Sequence, residues 1–238
     1  MGRGTLIVVE GIDGAGKSVV LDACGEWLRR EGLHVLDLRQ SLADHPYPEL
    51  GMLIAHDAVL CEEPTKSPLG RRVREMMKLD VPPDTLAQAF DADRSELLIR
   101  AVLPALDEGK IVVSERSVLS SLVYQGCQGM GWNAILAMPG NRLALERPPD
   151  IVIIADVGLK SAAKRLKARA KKDDAVFELT AFLGMVKNAY LKERFRTFVE
   201  SLGARLVMLD TSGTAAGTRW RVFSLLDTIL AERRGKAR

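Results

Sequence analysis

The sequence predicts a doubly wound α/β domain, a mostly parallel sheet of about five strands with helices on both faces. Three observations carry that expectation. Short β-branched apolar runs alternate with long amphipathic stretches from end to end, as successive strand–helix–strand units do. The runs at 111–113, 151–154 and 206–209 are apolar without alternation, as strands are when both sheet faces are buried. The run at 6–10 leads directly into Gly11-Ile12-Asp13-Gly14-Ala15-Gly16-Lys17-Ser18 and a helical pattern. That places a glycine-rich turn at the carboxyl end of a strand, where ligands of such sheets bind.

Taken in order, the helix behind the turn shows Val20, Cys24, Trp27 and Leu28 at helical spacing and stops at Gly32. A second strand is expected at 34–38, and 58–61 supplies another or extends the same layer. The stretch 40–56, with Pro46, Pro48 and Gly51, is the least regular and reads as an insertion. Helices are expected at 69–77, 83–108, 159–170, 178–202 and 215–234. Neither an internal repeat nor a low-complexity tract interrupts the alternation. The expectation is therefore one domain over 1–238, ending in a frayed basic tail from Arg233.

Composition narrows the function classes. With 47% hydrophobic and 27% charged residues among 238, the chain can bury a full core. A net charge of +3 is too small to argue for a nucleic-acid partner. No apolar run approaches the roughly 18 residues of a membrane span. Met1-Gly2-Arg3-Gly4 passes into a strand without the apolar segment of a signal peptide. Cys24, Cys61 and Cys127 are far apart and form no CxxC pair, which suits reduced thiols in a cytoplasmic protein. His34, His45 and His56 are scattered and suggest no site.

The glycine turn carries the chemistry. Gly11, Gly14 and Gly16 let the backbone close into a ring of inward N–H donors, with Asp13 and Ala15 between them. The helix N-terminus and the Lys17 ammonium point at the same spot, which suits the polyphosphate of a nucleoside triphosphate. The Ser18 hydroxyl falls where Mg²⁺ bridging the phosphates takes an oxygen ligand. Further constellations follow: Glu63-Pro64 after an apolar run, Phe90 and Arg94 at i and i+4 on one helix face, and Glu115-Arg116 after the run at 111. Then come Ser120-Ser121-Leu122-Val123-Tyr124-Gln125-Gly126, Pro149-Asp150 before a strand ending in Asp156, and a basic stretch from Lys164 to Lys172.

In that order and spacing, over essentially the whole length, the chain resembles the thymidylate kinase family; the Glu-Pro-Thr-Lys-Ser-Pro-Leu-Gly form looks closest to archaeal-type members. The resemblance implies a P-loop kinase fold, phosphorylation of dTMP to dTDP by ATP with Mg²⁺, and a homodimer. It implies that Phe90 stacks on thymine, that Arg94 bonds the base, and that Tyr124 packs against the deoxyribose. A flat ring and a donor-only guanidinium suit those tasks. Glu63, Pro64 and Ser120 belong to the same acceptor site, and Arg116 meets the acceptor's 5′-phosphate, where a guanidinium fork fits phosphate oxygens. Gly14 stands where some members carry a catalytic arginine, so the resemblance points instead to a lid at about 160–178, with Arg165 and Arg169 as candidates and Lys171 and Lys172 following. Thr211 and Ser212 resemble the loop near the adenine.

The chain departs from the family pattern at several positions. Glu115 replaces the usual Asp but keeps a carboxylate for Mg²⁺ through water. Ser117 replaces an aromatic or His, Glu62 an Arg, and the stretch 40–56 is extra. These departures leave open a kinase of the same fold for another nucleotide or a deoxynucleoside, for which Glu115 could serve as base. They also leave open a catalytically weakened nucleotide-binding regulator.

Overall fold

In the computed structural model, which describes residues 4–168 and 176–236, the described residues form six strands in one sheet. These are β1 (Thr5–Glu10), β2 (Val35–Asp37), β3 (Ala58–Glu62), β4 (Ile111–Glu115), β5 (Ile151–Asp156) and β6 (Arg205–Asp210). Their order is β2-β3-β4-β1-β5-β6, and every neighbouring pair is parallel. The helices are α1 (Lys17–Arg30), α2 (Leu38–Asp44), α3 (Leu50–Ile54), α4 (Pro68–Met76), α5 (Pro83–Leu97), α6 (Leu103–Asp107) and α7 (Val118–Cys127). They continue with α8 (Trp132–Leu136), α9 (Pro139–Glu146), α10 (Leu159–Lys167), α11 (Val176–Leu191), α12 (Glu193–Ser201) and α13 (Ala215–Lys236).

Side chains alternate across a strand, so β1 feeds two cores. Ile7 and Val9 join one core with residues of α1, α7, α11, α12 and α13, while Leu6 and Val8 join the other with residues of α2, α5 and α6. The sheet is thus covered on both faces, which is why its central strands need no polar alternation. The chain leaves β1 to one side, returns beside it as β4, and crosses to β5 on the other side. That reversal opens the crevice at the carboxyl ends of β1, β3 and β4.

The elements differ from expectation in specific places. The run at 58–61 is a strand of its own, so the sheet has six strands rather than about five. The stretch 40–56, expected to be irregular, holds most of α2 and all of α3. Asp37 caps α2 by accepting from the Arg39 N–H, and Leu38, Leu42 and Leu53 are buried in the second core. The helix expected at 83–108 passes through one π turn at Leu98–Val102 between α5 and α6. Pro104 lacks an N–H and its ring crowds the carbonyl four residues back, so the helix widens there. The helix expected at 178–202 breaks at Lys192, whose backbone is extended. Tyr190 and Phe195 are both buried and meet edge to face at 5.2 Å. On an unbroken helix they would point about 140° apart, and the break lets both reach the core.

Candidate active site

Each of the six strands ends on an acidic residue: Glu10, Asp37, Glu62, Glu115, Asp156 and Asp210. This row of carboxylates lines the ligand-binding edge and has to be neutralised. Arg39 pairs with Asp37 at 2.6 Å, Arg74 with Glu62 at 3.3 Å, Lys187 with Asp156 at 2.7 Å and Arg221 with Asp210 at 3.4 Å. Glu10 is fully buried and accepts from three hydroxyls, those of Ser117 at 2.8 Å, Ser120 at 2.5 Å and Tyr190 at 2.8 Å. Glu115 makes no side-chain hydrogen bond or ion pair among the described residues, and its buried Oε2 is an orphan acceptor. An orphan of that kind calls for a donor or a cation from outside the protein.

The glycine turn follows β1. Gly11 and Gly14 have φ of 132° and 78°, and a Cβ would fall 2.6 Å from Ala155 O and 2.5 Å from Ala162 O respectively. Glycine is therefore required twice over, for conformation and for closeness to β5 and α10. Lys17 is buried, with Nζ donating to Ile12 O at 3.0 Å and Asp13 3.6 Å away. Burial, with the charge of Arg116, pushes the Lys17 ammonium down to about 8 against the pull of Asp13, Glu115 and Glu10. Ser18, in the first turn of α1, is exposed.

Arg116 follows β4 with φ 74°, a left-handed conformation unusual for a side-chain-bearing residue. Its N–H donates to Val9 O at 2.9 Å and its carbonyl accepts from Ser114 Oγ at 2.9 Å, which hold the strained turn in place. The guanidinium donates to Ser120 Oγ at 3.1 Å and to Asp13, and lies 5.0 Å over the Tyr124 ring. Burial works to raise the Asp13 carboxyl, but Arg116 and Lys17 outweigh it and hold it below the usual carboxylate value.

Beside this cation lies a cavity of about 290 Å³. The structure brings Asp13, Glu63, Pro64, Phe90, Arg94, Arg116, Ser120 and Tyr124 to its wall, together with Ser121, Gln125 and Phe182. Phe90 is half-buried and Tyr124 meets Phe182 edge to face at 6.2 Å. Arg94 is 2% exposed; its Nε donates to Glu63 at 2.8 Å, Nη1 to Asn141 Oδ1, and Nη2 to Ser117 O and Ser121 Oγ at 3.2 Å each. One Nη1 hydrogen is left without an acceptor among the described residues. Gln125 is 4% exposed, and its amide makes no hydrogen bond among the described residues. Asp93 accepts from Thr65 N–H at 2.8 Å and Thr65 Oγ1 at 2.6 Å, tying the loop after Pro64 to α5.

From α10, Arg165 donates to Gly14 O at 3.2 Å and Thr211 O at 2.9 Å, so it bridges the glycine turn and the loop after β6. Arg169, Lys171 and Lys172 lie outside the described residues.

A family model described as thymidylate kinase matches residues 52–210 of this chain. The chain belongs to the thymidylate kinase family. Among relatives, it is similar to the probable thymidylate kinase of Thermococcus kodakarensis, 27% identical over 238 residues that cover 95% of this chain and 98% of the relative. The thymidylate kinase of Alkalilimnicola ehrlichii is 31% identical over 234 residues, 92% of this chain and 97% of its own. The probable thymidylate kinase of Caldivirga maquilingensis is 35% identical over 188 residues, 77% of this chain and 78% of its own. The family match begins after the glycine turn.

Several placements were not foreseen from sequence. Asp13, expected on the ATP side, also lines the cavity beside Arg116 and pairs with Arg116. Thr211, expected near adenine, is 1% exposed and spends its hydroxyl on Asp156 O at 2.8 Å, which leaves exposed Ser212 as the open side chain of that loop. Gln125, Ser121, Phe182, Glu10 and Asn141 carried no expectation. Gln125 and Ser121 stand inside the run from Ser120 to Gly126, where a polar residue on an otherwise apolar helix was the available signal.

Proposed function

We propose that this protein transfers the γ-phosphoryl group of ATP to the 5′-phosphate of dTMP, giving ADP and dTDP. The observation that carries the reading is the cavity whose wall joins an open aromatic face to a phosphate clamp. Phe90 and Arg94 come to it from α5, and Arg116 and Asp13 from the edge beside the glycine turn. Phe90 stacks on the base, the free Nη1 hydrogen of Arg94 meets a ring carbonyl, and the unpaired Gln125 amide supplies one donor and one acceptor to the remaining base edge. Tyr124 closes the sugar side. Arg116 exchanges Asp13 for the acceptor phosphate.

On the donor side, the amides of Gly14, Ala15 and Gly16 and the Lys17 ammonium cradle the β- and γ-phosphates, with Lys17 giving up Ile12 O to do so. The orphan Glu115 Oε2 and the exposed Ser18 hydroxyl fit a hydrated Mg²⁺, Ser18 directly and Glu115 through water. When bound, the ion neutralises charge shared between the phosphates. Arg165 leaves the carbonyls of Gly14 and Thr211 for the transferring group, aided by Arg169. The attacking acceptor is already a phosphate anion, so the residues supply alignment and charge neutralisation and no strong base.

The same reading carries one catalytic domain over 1–238 with a lid at about 160–178, and a cytoplasmic homodimer, supported by the resemblance. Light scattering on a sizing column tests the dimer. Among the described residues no helix is long and apolar enough to cross a membrane. The function is tested by ADP release with ATP and Mg²⁺ across dTMP, dUMP, dCMP, UMP, AMP, GMP and thymidine. Turnover dominated by dTMP is expected. Preference for another acceptor overturns the acceptor assignment, and silence on all of them overturns the kinase.

A further inference from the structure

Arg94 does not hold its own position in the cavity wall. Glu63 holds its Nε and Nη2, and Ser117 O and Ser121 Oγ also accept from Nη2, but at the Nη1 end the acceptor is a single neutral group, Asn141 Oδ1, from α9. Asn141 is 1% exposed and is not part of the cavity wall. Its amide cannot turn over, because Nδ2 donates to Ile135 O at 2.7 Å and leaves only Oδ1 for Arg94. Its backbone is fixed as well. Asp91, one helical turn before Arg94 on α5, accepts from the N–H groups of Gly140 at 3.0 Å and Asn141 at 2.8 Å.

That carboxylate at the first turn of α9 satisfies free N–H groups and faces the positive end of the helix. Gly140 permits the approach: a Cβ there would fall 2.3 Å from Ser95 Oγ and 2.4 Å from Asp91 O. The helix that carries Arg94 therefore also carries the group that locks its bracket.

We propose that Asn141, held by Asp91, is a positioning residue that fixes the tilt of the Nη1 end of the Arg94 guanidinium and thereby the enzyme's choice of a base with a carbonyl over one with an amino group. This rests on the reading of Arg94 as the base contact. Thymine presents a carbonyl acceptor at C4, cytosine an amino donor. A donor-only guanidinium rewards the first and opposes the second only while its free N–H points at that position. An Arg94 whose Nη1 end can tilt about its bonds to Glu63, Ser117 and Ser121 loses this discrimination while still filling its place.

The test is the ratio of kcat/KM for dTMP to that for dCMP, which does not depend on the fraction of folded enzyme. Asn141→Leu, of similar size and without an acceptor, should lower the ratio roughly tenfold or more, as small misplacements of an orienting group do. The loss should fall on the KM for dTMP, with kcat and the KM for ATP within about twofold, the scatter of ordinary kinetic comparisons. Arg94→Ala is the reference. If it collapses the ratio while Asn141→Leu leaves it intact, positioning by Asn141 is wrong. If Asn141→Leu lowers kcat and raises both KM values with the ratio unchanged, Asn141 is merely structural. If Arg94→Ala itself leaves the ratio and the KM for dTMP unchanged, the base-contact reading fails and takes the proposal with it.

Discussion

Nε and Nη2 of Arg94 converge on a single oxygen of Glu63, at 2.8 and 2.6 Å, in a pair almost sealed from solvent. Glu63 comes from the loop after β3 and Arg94 from α5, so the pair ties the acceptor loop to the helix that carries Phe90. Removing one partner of such a pair leaves a buried charge uncompensated, at a cost of about 3–5 kcal/mol. Glu63→Ala should lose stability on that scale in urea unfolding, and Glu63→Gln less, because it keeps an acceptor for Nε. Equal midpoints for wild type and Glu63→Ala would show that the pair does not hold the loop.

Phe90 lines the acceptor cavity and leaves part of its ring open, whereas Lys17 and Ser18 belong to the glycine turn. Stacking of a base on an aromatic side chain contributes about 1–3 kcal/mol by alanine substitution. Phe90→Ala should therefore raise the KM for dTMP between roughly fivefold and a hundredfold by that same energy, with ATP affinity from calorimetry nearly unchanged. A KM for dTMP that does not move would remove the stacking role.

Lys17 gives the phosphate site a pH dependence. In the ligand-free protein burial and Arg116 lower it from 10.5 to about 8. A bound triphosphate puts negative charge against Nζ and favours the protonated form, so binding raises the pKa. By linkage, ATP affinity should be flat below about 8 and fall as pH rises through that value, by at most about tenfold per pH unit. Titration calorimetry at pH 7, 8 and 9 reads this directly. Lys17→Arg, which keeps its charge over this range, should flatten the profile; an unchanged slope in that variant would place the titrating group elsewhere.

The strands were legible because unalternated apolar runs such as 151–154 have few other places to go in a chain of this length. The glycine turn was legible because its geometry is local: Gly14 needs its left-handed φ whatever surrounds it. The stretch 40–56 misled because Leu38 and Leu42, the helical pair of α2, straddle the boundary drawn for a strand, and because Pro46 and Pro48, which lie between two short helices, masked both of them. The bonds that matter most at the site were not legible for a different reason. Arg94 meets Asn141 across 47 residues and Glu10 meets Tyr190 across 180, and nothing in the local pattern of either chain segment selects its partner. Such pairings are decided by where the sheet edge and three helices converge.

Arg165 bridges Gly14 O and Thr211 O, one carbonyl in the glycine turn and one in the loop after β6. A guanidinium reaches two acceptors from separate nitrogens in one fixed plane, whereas an ammonium has all its donors on one nitrogen and a shorter span. In that position Arg165 needs little movement to meet phosphoryl oxygens, and a charge that appears only as the phosphoryl group moves acts on kcat more than on binding. Arg165→Ala should lower kcat by about a thousandfold, the low end for an arginine acting on phosphoryl transfer, with ATP affinity changed only a few-fold. Arg165→Lys should recover little of it. If single-turnover rates with Arg165→Ala match wild type while Arg169→Ala abolishes them, the phosphoryl contact belongs to Arg169, and the bridge made by Arg165 serves to hold the glycine turn against the loop after β6.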